Sequence, residues 1–205
     1  MFIELTDHLR CPEDHEEQFL VLIPGEVAAR SVRNGILGCP VCRREYLIRD
    51  GVAEFGNAPV PGEGAGAAVD AEAVRAFLGL SGPGGYAALV GTAGAAAPGL
   101  NEAVGGVHLV AVNPPPDLAE GPMLSLVRAP MLPLKARSLR GVVLGRGYGA
   151  EPAWVSDALR TLLPGLQLAG EGPTPDLAGL EILGEAEGWW VGRKGGRAEG
   201  RKAGV

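Results

Sequence analysis

The feature that most constrains this chain is the placement of its three cysteines, all near the amino end, in Cys11-Pro12-Glu13-Asp14-His15 and Cys39-Pro40-Val41-Cys42. A Cys-x2-Cys turn folds tightly enough to put two sulfurs on one ion, and Pro40 stiffens it. Zinc takes a tetrahedron of thiolate and imidazole ligands, so Cys39 and Cys42 need two more, and Cys11 supplies one. The fourth is open between His15 and Asp14. His15 is the softer ligand with the longer reach, whereas Asp14 occupies the third position after Cys11, where a second cysteine would complete the first knuckle. The bland alternative is a metal-free domain with buried, reduced thiols. A redox role for Cys39 and Cys42 fits poorly, because a redox pair opens a helix and residues 43–48 read as a strand.

With 205 residues, the chain has room for one small and one medium domain. The start Met1-Phe2-Ile3-Glu4 has no charged-then-apolar leader, so a reducing cytoplasm is the expected location. Residues 76–101 carry no charge, but nine of them are glycine or proline and many are alanine, which argues against a membrane span. The formal net charge is −6, unevenly spread. From residue 193 onward five basic residues face Glu199 alone, a net of +4, which leaves −10 on the rest. An acidic body argues against a broad nucleic-acid face, and the tail offers RNA only a weak contact.

Residues 1–56 read as a β-rich unit. Phe2-Ile3-Glu4-Leu5 has strand character, and residues 19–23 form an apolar run stopped by Pro24-Gly25, as in a buried strand. Asn34-Gly35 and Asp50-Gly51 each predict a hairpin turn. So small a unit has little core, and a metal would supply on the order of 10 kcal/mol of its folding free energy.

Leu9-Arg10-Cys11-Pro12, followed by Gly38-Cys39-Pro40-Val41-Cys42-Arg43-Arg44-Glu45-Tyr46-Leu47-Ile48-Arg49-Asp50-Gly51-Val52, resembles the small zinc-ribbon proteins that bind and activate methyltransferases, and their short bacterial relatives. Ala53 stands where that family usually has proline. The resemblance covers roughly residues 1–56. It implies a structural zinc and a ribbon that acts by covering an apolar patch on a catalytic partner.

Residues 57–69 have the Gly/Pro-rich composition of a flexible linker. A second unit follows over 70–192, with a basic, disordered tail over 193–205. Asp70 and Glu72 open a helix. Residues 86–90, 107–112, 141–144, 166–169, 180–183 and 188–191 read as strands, and 154–163 as an amphipathic helix closed by Pro164-Gly165. This alternation predicts an α/β fold, a Rossmann-like sheet flanked by helices behind a small β-rich ribbon.

The second unit resembles a class I S-adenosylmethionine (SAM)-dependent methyltransferase, through residues 132–144 and Leu159-Arg160-Thr161-Leu162-Leu163-Pro164-Gly165-Leu166. The cofactor motifs depart from that family. In Leu89-Val90-Gly91-Thr92-Ala93-Gly94-Ala95, Leu89 replaces the acid and Ala93 and Ala95 replace two glycines. Asn113 replaces the ribose-binding carboxylate, and Arg140 stands where a later Asp is common. If SAM binds, the resemblance assigns it Gly91, Gly94 and Asn113. These losses point to a degenerate domain with no catalytic residues, for which SAM is unlikely as a cofactor.

His8 and His108 fit no triad, and His108 is expected to pack on the sheet. One ring of Trp189-Trp190 is expected in the core and the other at the surface. The expected function is that of a non-catalytic scaffold or regulator, a pseudoenzyme. It would bind structural zinc through Cys11, His15 (or Asp14), Cys39 and Cys42, and act through a protein partner, either a methyltransferase or a second copy in a homodimer. An active SAM-dependent methyltransferase with atypical cofactor motifs is the alternative.

Overall fold

The computed structural model describes residues 1–56 and 69–195. The linker expected at 57–69 lies outside the described residues except for Val69. The chain opens with a 3-10 turn, Ile3–His8, and then forms four strands: β1 (Val21–Ala28), β2 (Ser31–Gly38), β3 (Glu45–Arg49) and β4 (Val52–Glu54). Helix α1 (Ala71–Leu78) follows, then β5 (Tyr86–Val90), a 3-10 turn Gly91–Ala96 running into α2 (Ala97–Ala103), and β6 (His108–Val112). The remainder is β7 (Leu124–Arg128), β8 (Leu139–Leu144), α3 (Pro152–Thr161), β9 (Leu162–Glu171), β10 (Leu180–Ala186) and β11 (Trp189–Lys194).

All eleven strands belong to one sheet, in the order β1-β2-β3-β4-β7-β6-β5-β8-β9-β11-β10. Its centre, β7-β6-β5-β8-β9, is parallel throughout and has the doubly wound order 3-2-1-4-5. Both faces of this centre are covered, so its strands are apolar almost without interruption: β6 is buried at every position. Helices α1 and α2 cover one face, where Val74, Leu78 and Leu100 pack on Leu89, Leu109 and Val143. On the other face Trp154, Val155 and Leu159 of α3 share a core with Leu5, Leu9 and Leu134. That second core continues into the amino-terminal strands through Leu37, Tyr46, Ile48 and Phe55. The joint is the parallel pairing of β4 with β7, Val52 opposite Leu126 and Ala53 opposite Val127. Among the described residues, no helix is long and apolar enough to cross a membrane.

Several local expectations are corrected. Residues 2–5 form no strand beyond a single bridge from Phe2 to Ser31: Met1 and Ile3 bond Val32 and Arg30 beside the end of β2 that β3 leaves open, and the chain then coils at once into the 3-10 turn Ile3–His8. The run 19–23 is not a buried strand: β1 lies at the sheet edge, and Val21 and Ile23 are 47% and 56% exposed. Pro24-Gly25 does not end β1, since an edge position tolerates the missing N–H, at the cost of an irregular register. Nor does Asn34-Gly35 turn the chain. The turn falls at Ala29 and Arg30, both with positive φ, and Gly35 lies inside β2, where a side chain would come within 2.9 Å of the Ile23 carbonyl oxygen. Asp50-Gly51 does form a turn, with φ of 48° and 82°.

Farther along, α3 ends at Thr161, and Pro164-Gly165 lies within β9, where the partner of β8 jumps from Leu162 to Gln167. Strand β7 is one the sequence reading does not identify. Arg193 and Lys194, assigned by sequence to the tail, are strand residues: Arg193 pairs with Gln167, and the Lys194 ammonium donates to the Leu162 carbonyl at 2.7 Å. Residues 196–205 of the expected tail lie outside the described residues.

Candidate metal centre and cofactor cleft

The two knuckles meet because separate elements carry them to one point. The first follows a short antiparallel contact in which Leu9 bridges Leu134, and the Arg10–Phe19 bridge closes the loop that returns His15 toward Cys11. The second lies between β2 and β3, held by Cys39 N–H to Arg44 O at 2.8 Å and Arg43 N–H to Cys39 O at 3.0 Å. Arg43, just past Cys42, takes a left-handed φ of 61° to return the chain into β3.

The result is a quartet, Cys11, His15, Cys39 and Cys42, whose ligand atoms all lie within 4.8 Å of one another, close enough to hold a metal ion. Asp14 is outside this quartet and exposed. A tetrahedral zinc with sulfurs at about 2.3 Å sets sulfur–sulfur edges of about 3.8 Å and slightly shorter nitrogen–sulfur edges. Cys11 Sγ to Cys42 Sγ is 3.7 Å, and Cys39 Sγ to His15 Nε2 is 3.4 Å. The donor set and its spacing therefore fit a tetrahedral ion. His15 Nδ1 lies 2.7 Å from the Glu16 carbonyl oxygen, which must accept its proton and so leaves Nε2 free to ligate. Burial pushes the Cys11 thiol up to about 11, while the Arg44 backbone N–H draws Cys42 down to about 7. Metal binding at this site thus releases protons.

Gly91, Gly94 and Asn113 also converge, at the carboxyl ends of β5 and β6, beside the point where the strand order reverses. In doubly wound sheets this is where ligands bind. Here the space is occupied by side chains. The Tyr148 ring lies against Gly91, where even a Cβ would come within 2.5 Å of it, and Gly94 faces Pro114 and Pro115. Tyr148 is 2% exposed, hydrogen-bonds the Asn113 side chain and meets Trp154 edge to face at 4.6 Å. Both ends of the Asn113 amide also bind the backbone of Ala129, Nδ2 to its carbonyl at 2.8 Å and Oδ1 from its N–H at 2.9 Å. Leu89 is fully buried in the core. Arg140 lies far from any ligand role, its guanidinium donating to the carbonyls of Ser81, Gly82, Pro83 and Gly84.

His108 is buried and stacked on Phe2, and Trp190 is fully buried while Trp189 packs partly exposed against Phe77. Sequence reasoning missed Tyr148, for which it holds no signal. Tyr46 is legible as a strand residue, but not as a partner of Cys11.

No protein-family model matches the chain. No curated protein matches it either. A number of solved structures are similar to the chain, two of them as follows. One is a chain from a complex between the Haloferax volcanii Trm112 methyltransferase activator and a protein described as a methyltransferase, at 19% identity and a TM-score of 0.41 over 49% of this chain. The match spans 50% of that chain. The other is a SAM-dependent methyltransferase from Aquifex aeolicus, at 16% identity and a TM-score of 0.44, covering 62% of this chain and 89% of that one.

Proposed function

We propose that this protein is a non-catalytic binding protein, a scaffold or regulator in which a zinc ribbon over residues 1–56 is joined to a degenerate methyltransferase-like unit over 70–192. The observation that carries this reading is the pairing of an assembled ligand quartet with a filled cofactor cleft. Four protein ligands close a zinc site and leave no open position for water or substrate, so zinc here would be structural. Cys11, His15, Cys39 and Cys42 would hold it, linking the loop docked on residues 133–135 to the β2–β3 hairpin.

The same reading makes Tyr148 the residue that fills the place of a nucleoside. It also makes Asn113 a structural amide, since both ends of its amide are engaged by the backbone of Ala129. The β4–β7 pairing supports a ribbon that serves its own chain first, so a further protein partner would meet the joined sheet and not a free ribbon. Metal content by elemental analysis and calorimetric titration with SAM and S-adenosylhomocysteine on the same sample test this. Zinc near one per chain with no heat at millimolar cofactor is expected. Micromolar cofactor binding would restore an active methyltransferase, and a metal-free protein would remove the zinc.

A further inference from the structure

We propose that Tyr46 is a positioning residue of the metal centre, the outer-shell donor that fixes the Cys11 sulfur. The proposal rests on the reading of the quartet as a zinc site. On β3 burial alternates, so Tyr46 and Ile48 point inward while Glu45, Leu47 and Arg49 face solvent. The Tyr46 ring is 6% exposed and packs against Phe55 with centroids 4.8 Å apart. At the inner end of that apolar slot its phenol oxygen lies 3.1 Å from Cys11 Sγ. Once a metal takes Cys11 as a thiolate, the sulfur has no proton and only accepts, so the phenol must donate.

The geometry explains why a hydroxyl is kept at this buried position. Tyr46 leaves the second knuckle on β3, opposite Leu37 of β2, yet it hydrogen-bonds the ligand of the first knuckle. It therefore holds together, without the metal, the two segments that the metal links. Phe55, on which the ring rests, donates its N–H to the Arg128 carbonyl at 2.7 Å, just past the β4–β7 joint. The sulfur, the phenol and the joint thus form one packed path. Groups that hydrogen-bond metal ligands orient them and tune the metal.

The test compares the full chain with Tyr46→Phe and Phe55→Leu, using chelator competition for zinc and the absorption of the cobalt(II)-loaded protein. Tryptophan fluorescence, to which the buried Trp154 and Trp190 contribute, checks that each variant is folded. Removing an outer-shell partner typically costs about 10–100-fold in metal affinity, and that loss is expected for Tyr46→Phe. Its thiolate-to-cobalt charge-transfer band should also move to longer wavelength, because a sulfur without its hydrogen bond gives up charge more easily. Phe55→Leu keeps the phenol and should leave the band in place. A folded Tyr46→Phe protein with unchanged affinity and an unchanged band overturns the proposal while leaving the zinc site standing. A wild-type chain that binds neither zinc nor cobalt overturns both.

Discussion

His108 lies on β6 with its ring stacked on Phe2, centroids 4.7 Å apart, and its Nε2 2.9 Å from Ser125 Oγ. The Phe2 N–H donates to that same hydroxyl at 2.9 Å, and among the described residues His108 Nδ1 has no hydrogen-bond partner. Burial lowers its pKa to about 4, helped by the positive charges of the Met1 amino group and His8. A folded pKa below the unfolded one favours the neutral ring. The associated stability is present above pH 6.5 and is lost as pH falls from 6.5 through 4, on the order of 3 kcal/mol. Urea midpoints at pH 7 and 4.5 should fall less in His108→Gln than in the wild type. The difference between the two proteins is the readout, because acid also strips metal ligands from both. Tyr148 makes a second prediction at this scale. Tyr148→Ala should cost about 3–5 kcal/mol in denaturant unfolding, as for other large buried rings. It should still bind no SAM in calorimetry, since opening the space over Gly91 supplies neither an acid at Leu89 nor a free carboxylate at Asn113.

Among the elements, β11 shows how the far edge of the sheet is held. It runs antiparallel between β9 and β10, and Trp190 sends its indole N–H to the Gly149 carbonyl at 3.2 Å from a fully buried position. Trp190→Ala should lower stability by about 3–5 kcal/mol in urea unfolding while zinc content stays unchanged, because the quartet lies at the opposite end of the strand order. Legibility also varies by element. Strand β5 is read from sequence to its ends, 86–90, because an apolar run bounded by glycines has one reading in an α/β chain. Asn34-Gly35 misleads because glycine serves two purposes, turning a hairpin or admitting a neighbouring backbone, and only the register of β1 on β2 decides between them. In the metal site the cysteines were legible from spacing, whereas the Tyr46 hydrogen bond depends on how β3 is rotated. Nothing local marks Tyr148, since its contact with Gly91 joins residues that only the wound sheet brings together.

At the scale of the whole molecule, the metal quartet and the β4–β7 joint hold the ribbon in different ways. A metal on the quartet would tie the loop after Leu9 to the β2–β3 hairpin, whereas the joint and the core continuing through Ile48 and Phe55 tie β3 and β4 to the rest. Removing zinc with a chelator should therefore speed hydrogen exchange in residues 10–40 and spare β5, β6 and β8. Acceleration of equal size across the entire sheet would show instead that the ion supports the whole fold. Because β4 lies along β7 of its own chain, the ribbon faces that edge at an effective concentration on the order of millimolar. A separate protein of equal intrinsic affinity, competing for β7 at micromolar levels, would be outnumbered about a thousandfold, so it would need to bind that edge about a thousandfold more tightly to displace β4.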